Sequence, residues 1–331
     1  MTVVVIVADN KVIGLLYKEG VKVCTFLCLP IHVPHPLAGA PEYNVSLTHV
    51  LRLCAVGCRL KDRLMRQLSL GVGFQVDPQV NRRDYRKIMD SIMRRVAAGL
   101  AAAMRYKAAN QAEVLCASGQ CAAAAVALKL AVDLGHLPSR ALKAWMLIGG
   151  REGVAKDLNG AFELVEEGTR LGCHHCQGVM AWCYRHGWGI RPDAALSLEL
   201  ARYSSRKGSR YGQYVLGLIY QYGRGGVAQD DTQAVVFYRL AAAQGLDEAQ
   251  CKLAYMYHYG EGIVQDHPEA WRFYRLAAAQ GYPAALYNVA RCHECGQGVP
   301  ANKAEAIRLY RRALAAGYHV SAIALQRLSA E

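Results

Sequence analysis

In the stretch DEAQCKLAYMYHY (247–259), Ala249, Leu253, Ala254 and Tyr257 recur at steps of three and four, which gathers them on one side of a helix. In HPEAWRFYRLAAAQ (267–280), Ala270, Phe273, Tyr274 and Ala277 do the same. Between them lies GEGIVQD (260–266), whose two glycines permit the positive φ of a sharp reversal. Asp266 stands at or beside a helix N-cap, Pro268 suits a first helical turn, and Gly281 stops the second helix. The pattern predicts two short helices folded back on each other.

The phrase YRLAAAQG occurs at 238–245 and again at 274–281, and the same spacing continues outward. It divides the chain into units 136–172, 173–208, 209–245, 246–281 and 282–317. Two units are one residue longer, and both carry the extra residue in the glycine-rich turn, GREGV (150–154) and GRGGV (223–227). Insertions confined to one loop mark a repeat array. A single helix pair cannot bury its own apolar side, whereas a stack of pairs shares one continuous core.

The stretches LGLIYQYGRGGVAQDDTQAVVFYRLAAAQG (216–245) and LAYMYHYGEGIVQDHPEAWRFYRLAAAQG (253–281) carry Leu-Gly/Ala, Tyr, G-x-G-V, Asp and Tyr-x-x-Ala-Ala-x-x-Gly in that order. This pattern resembles the Sel1-like repeats, longer relatives of tetratricopeptide repeats. The unit 282–317 follows it well, the unit 173–208 departs from it with YSSRKG, and the unit 136–172 departs further with FELVEEGTRLG. The resemblance implies an all-α, right-handed α/α solenoid, with residues 81–135 as a helical N-terminal cap and 318–331 as a C-terminal capping helix. It does not extend to residues 1–80, a separate appendage. There the β-prone runs TVVVIV and VKVCTFLCL give strands, HVPHPLAGAPEYN (32–44) is irregular, and residues 46–68 have a helical period.

Composition adds constraints. With 53% hydrophobic and 20% charged residues the chain has the makeup of a folded protein. No run of about 18 apolar residues is present, so no membrane insertion is expected. The N-terminus lacks the positive region of a signal peptide, and reduced thiols in a cytoplasmic setting are the expectation. The net charge of +13 is spread along the chain; its densest stretch, 82–95, holds six basic and two acidic residues. Without a nucleic-acid-binding motif this reads as a solvated helix face, and no nucleic-acid partner is expected.

Twelve cysteines raise the question of metal or redox chemistry. CHHC (173–176) and CHEC (292–295) have zinc-ligand spacing, yet they stand at different phases of the repeat, three units apart. In register, Cys176 shares a small-residue slot with Ser139, Gly212, Ala249 and Ala285, and Cys183 and Cys292 share an apolar slot with Met146, Ile219 and Met256. Only Cys173 lacks such an explanation. The N-terminal C-x3-C pairs, Cys24/Cys28 and Cys54/Cys58, with His32, His35 and His49, form a second candidate cluster. No metal or cofactor is expected. GQGVPANK (296–303) ends in lysine but lacks the strand before it and the Ser or Thr after it that a phosphate loop requires. No nucleophile elbow, H-E-x-x-H or kinase signature occurs, and no catalytic residue is assigned.

The resemblance implies that the first helix of each pair lines the concave side of the solenoid. Residues of those helices outside the packing stripe then face the groove: Trp182, Arg185, His186, Tyr211, Tyr214, Tyr222, Tyr255, His258, Tyr259, Tyr287, Arg291 and Glu294. Tyr184, Tyr220, Tyr257, Tyr238, Tyr274 and Tyr310 are expected in the core. Aromatic and arginine side chains dominate binding hot spots because they bury large area and keep a polar end. The expected function is a non-catalytic adaptor that holds a protein partner in this groove, with Arg185, His258, Arg291 and Glu294 orienting it. The rival classes are a metal- or redox-linked assembly factor built on the cysteine clusters, and a hydrolase of the β-lactamase type that the resemblance also admits.

Overall fold

The computed structural model describes residues 2–8, 11–17, 27–30, 82–150 and 153–330. The chain divides into two units, Met1–Pro78 and Gln79–Glu331. In the first, strands β1 (Thr2–Ala8), β2 (Lys11–Tyr17) and β3 (Leu27–Pro30) form an antiparallel sheet in chain order. The sequence pattern gives two β-prone runs where the described residues hold three strands. Lys11–Tyr17 is apolar enough to pair with the whole of β1, from Thr2 opposite Tyr17 to Ala8 opposite Lys11, and the end of the second run pairs with β2 as β3. The helix expected at 46–68, the irregular 32–44 segment, and Cys24, Cys54, Cys58, His32, His35 and His49 lie outside the described residues.

The second unit is helical throughout its described residues. A long helix α1 (Arg82–Ala117) and α2 (Cys121–Asp133) lead into five helix pairs. Their first helices are α3 (Leu137–Gly149), α5 (His174–His186), α7 (Arg210–Tyr222), α9 (Asp247–Tyr259) and α11 (Pro283–Cys295). Their second helices are α4 (Leu158–Arg170), α6 (Ala194–Arg206), α8 (Asp231–Ala243), α10 (His267–Ala279) and α12 (Lys303–Ala315). Helix α13 (Val320–Ala330) packs on α12. Each helix packs on its neighbours in sequence, as an α/α solenoid requires.

The two kinds of helix start differently. Every second helix is capped by a side chain: Asp157, Asp193, Asp230, Asp266 and Asn302 each accept a hydrogen bond from the amide three residues on, at 2.9–3.0 Å. The first helices instead end on a left-handed glycine: Gly150, Gly187, Gly223, Gly260 and Gly296. The second glycine of the turn has a further task. A Cβ on Gly262 would lie 2.3 Å from the backbone of Asp231, at the start of the preceding second helix, and one on Gly298 would lie 2.2 Å from the His267 carbonyl. The turn glycines thus let each repeat sit directly on the one before it.

The core is built from alanines and, in each of the last three second helices, one buried tyrosine. Tyr238, Tyr274 and Tyr310 are buried as expected, each at the eighth residue of its helix. The Tyr238 hydroxyl donates to Gln221 Oε1 at 2.8 Å and the Tyr310 hydroxyl to Glu294 Oε2 at 2.6 Å. Tyr184, Tyr220 and Tyr257 are half-buried, and Tyr220 and Tyr257 stack on Phe237 and Phe273 of the following helix. The glutamine of YRLAAAQG also recurs for a structural reason: Gln244 donates to Gln213 at 2.7 Å, and Gln280 to Gln250 at 2.9 Å, which ties the end of each pair back to its beginning.

Candidate functional site

At its start the row of first helices is filled. Helix α3 packs on α5, and α5 on α7, because Gly178 carries no side chain where a Cβ would come within 2.6 Å of the Gly212 amide. Into this close contact fall Trp145, Trp182, Tyr211 and Tyr214. The Trp145 ring lies 5.5 Å from Trp182, 5.1 Å from Tyr211 and 5.8 Å from Tyr214. Tyr211 and Tyr214 are only 1% and 4% exposed, so they hold the solenoid together and do not line an open groove as the sequence suggested. Burial raises the hydroxyl pKa of both, and they stay uncharged. Trp182 is half-buried beneath His186, at 4.0 Å, and Trp188, at 5.8 Å.

Further along the row the surface opens. Tyr222, Tyr255 and Tyr259 are exposed. The Arg185 guanidinium lies 5.7 Å from the Tyr222 ring, and Lys252 Nζ donates to the Tyr222 hydroxyl at 3.0 Å while sitting 6.0 Å from the Tyr255 ring. Tyr255 and Tyr259 pack at 4.5 Å, and both terminal nitrogens of Arg291 reach the Tyr259 hydroxyl at 3.4 Å. Six side chains from α5, α7, α9 and α11 therefore make one continuous strip, with three cations interspersed among three tyrosines. Among the described residues, Arg185, Lys252 and Arg291 form no ion pair. Burial, reinforced by neighbouring Arg224, lowers the Arg185 pKa, so its charge is held without a compensating carboxylate.

Three other expected groove residues are engaged inward. His258 is 6% exposed, its ring against His267, Tyr259 and Tyr274, and burial with Arg291 and His267 nearby lowers its pKa. Glu294 accepts hydrogen bonds from Tyr310 and Arg327. Tyr287 lies half-buried between Tyr310, at 5.3 Å, and Tyr318, at 5.2 Å. The reason is common to His258 and Glu294: the twelfth residue of a first helix stands opposite the core tyrosine of its own second helix, the place Gln221 fills for Tyr238. Lys252 was missed by the sequence reading. Its repeat equivalents are Val179, Val215 and Asn288, and that charge at an otherwise uncharged position was the available signal.

The remaining chemical motifs do not assemble a reaction centre among the described residues. Among the described residues, no three His, Cys, Asp or Glu side chains converge on a point that could hold a metal ion. In CHEC, Cys292 is buried and Cys295 exposed. GQGVPANK joins two helices, and Asn302 caps the second. The S-x-x-K spacing at Ser204–Lys207 offers no accessible nucleophile, since Ser204 is fully buried and donates to the Ala201 carbonyl. On the side of the second helices, a recess of about 560 Å³ is lined by Arg239, Tyr257, Arg272, Phe273 and Leu276, among others.

The fold is a helical-repeat solenoid. The Sel1 repeat family model matches four times, at residues 174–209, 210–246, 247–282 and 283–318, so this part of the chain is similar to a run of four Sel1 repeats. Proteins of this family are generally protein-interaction scaffolds and typically non-catalytic. A curated relative, the uncharacterized protein NMB1327 of Neisseria meningitidis serogroup B, is 41% identical over 66 residues, 20% of this chain; the match spans only 14% of that protein's length. Among solved structures, the chain is similar to c5321, a protective antigen of uropathogenic Escherichia coli with an SLR fold. That match has 25% identity and a TM-score of 0.43, covering 61% of this chain and 43% of that one. A Sel1 repeat protein from Oxalobacter formigenes matches at 21% identity and a TM-score of 0.45, covering 64% of this chain and 86% of the other. Among the described residues, no helix is long and apolar enough to cross a membrane.

Proposed function

We propose that this chain is a protein-interaction scaffold whose exposed strip on the first helices, Arg185–Tyr222–Lys252–Tyr255–Tyr259–Arg291, holds an extended acidic segment of a partner protein. The observation that carries the reading is the strip's three cations, none paired with a carboxylate among the described residues. Acidic side chains of a partner would supply the charge-assisted hydrogen bonds that the solenoid does not. The tyrosine faces between the cations would take the segment's apolar groups, large contact areas at little conformational cost. Three repeat steps of roughly 10 Å separate Arg185 from Arg291, and about nine residues of extended chain span that length.

Panning a random-peptide display library against the full chain tests this directly. The selected peptides should be enriched in Asp and Glu, and their binding should weaken as salt rises, because the strip's cations are only half-buried. Replacing Lys252→Glu and Arg291→Glu together should reduce their affinity at least tenfold, a loss of about 1.4 kcal/mol or more. Peptides with no acidic enrichment, or peptides that bind the charge-reversed variant as well as wild type, would remove the basis for this partner class.

A further inference from the structure

Cys173 stands at the N-cap of α5, and Cys176 is three residues on, in the first turn. The repeat shows what these two slots do. In α3 the same slots hold His136 and Ser139, whose ring nitrogen and hydroxyl meet at 2.8 Å. In α3 the fold thus turns the N-cap side chain and the third residue of the helix toward each other. In α5 both slots are thiols, and they are hydrogen-bonded to each other. Space for the pair comes from Gly168 on α4, where a Cβ would lie 2.2 Å from the Cys176 sulfur. Residues so placed fall within the Cα separation of about 4.4–6.8 Å that a disulfide requires.

The surroundings treat the two sulfurs differently. Cys173 is 5% exposed at the head of α5, with the Arg140 guanidinium nearby. Cys176 is fully buried, 3.8 Å from the Leu137 carbonyl. An attacking sulfur at a helix N-terminus, beside a buried resolving sulfur, is the division of labour of dithiol redox pairs.

We infer that Cys173 and Cys176 form a peroxide-sensitive dithiol that closes to an intramolecular disulfide at the head of α5. The Cys173 thiolate attacks one oxygen of hydrogen peroxide; the S–O bond forms, the O–O bond breaks, and the departing hydroxide takes up a proton to become water. The Cys176 sulfur then attacks the sulfenic sulfur. The S–S bond forms, the S–O bond breaks, and the second hydroxide leaves with the proton from Cys176. Two thiols have been oxidised and one peroxide reduced to two waters.

The other cysteines supply the contrast. The hydrogen bond from Cys176, followed by the backbone amides and Arg140, outweighs burial and brings the Cys173 thiol down to about 6. Burial pushes Cys116, Cys183 and Cys251 up to about 12 and Cys292 to about 11. Because the thiolate is the nucleophile, Cys173 should react first among these at neutral pH.

The test treats the full-length reduced protein with hydrogen peroxide at neutral pH, blocks remaining thiols with N-ethylmaleimide under denaturing conditions, and reads the tryptic peptide of residues 171–185. The expected product carries one maleimide, on Cys183, and a Cys173–Cys176 bond that makes the peptide about 2 Da lighter than its singly labelled dithiol. It should form at least about tenfold faster than oxidation at Cys116, Cys183, Cys251 or Cys292. In Cys176→Ser protein, Cys173 should stop at sulfenic acid and be trapped by dimedone. Equal oxidation rates at all these cysteines, or a peptide that takes three maleimides while exposed Cys295 is oxidised, would overturn the inference. The wild-type measurement decides the matter even if a substituted protein folds poorly.

Discussion

Gly262→Ala should lower the melting temperature of the repeat array by about 5–10 °C, whereas Gly281→Ala should lower it by only about 2–4 °C. Both glycines have left-handed backbones, with φ of +66° and +79°, so either alanine costs about 1 kcal/mol or more in strain. Their surroundings set them apart. The added Cβ at Gly281 meets nothing within 4 Å, while that at Gly262 would stand 2.3 Å from the Asp231 carbonyl carbon and oxygen. Backbone at the start of a capped helix cannot step aside, so overpacking adds about 1–3 kcal/mol and presses apart the pairs α7–α8 and α9–α10. Thermal unfolding followed by circular dichroism compares the two variants. Equal losses would mean that the turn glycines serve only backbone conformation.

The second large effect is expected in the core. Tyr238→Ala removes a fully buried ring that packs on Gly217, where even one added carbon would come within 2.5 Å of it, and it leaves Gln221 without its donor. Truncation of a large buried aromatic costs about 3–5 kcal/mol, so this variant should unfold at much lower denaturant concentration than wild type. Tyr238→Phe keeps the ring and loses only the hydrogen bond to Gln221, at about 1–2 kcal/mol. Urea titration of the two variants separates packing from hydrogen bonding. A Phe variant as damaged as the Ala variant would place the weight on the buried polar contact instead.

Much of this architecture could be read from the sequence, because a repeat exposes its own logic. The thirty-six-residue recurrence of YRLAAAQG, the G-x-G turns and the tyrosine at a constant helical phase together gave the helix pairs and the buried Tyr238, Tyr274 and Tyr310. The site was less legible. Periodicity tells which side of a helix turns away from its own partner, but it does not tell how closely neighbouring first helices approach. Gly178 draws α5 onto α7, and that contact buries Tyr211 and Tyr214; at later repeats Tyr222, Tyr255 and Tyr259 stay open. His258 and Glu294 were misassigned because their role depends on a core tyrosine some sixteen residues further on, which a single-helix reading does not see. Lys252 adds no ring to the aromatic pattern, and its signal is a charge that is singular at that place in the repeat.

The central claim is that the exposed tyrosine and cation strip is the binding surface, and affinity capture with mass spectrometry tests it most directly. Three proteins would be used as bait in a lysate of the source cells: wild type, a Tyr222→Ala/Tyr255→Ala/Tyr259→Ala variant, and an Arg239→Ala/Arg272→Ala variant altered in the recess between the second helices. The three tyrosines are exposed, so their removal should leave the fold intact, which circular dichroism would verify. The expected result is a partner retained by wild type and by the arginine variant but lost by the tyrosine variant. A partner that survives loss of the tyrosines and disappears with Arg239 and Arg272 would move the binding surface to the opposite side of the solenoid and contradict the account.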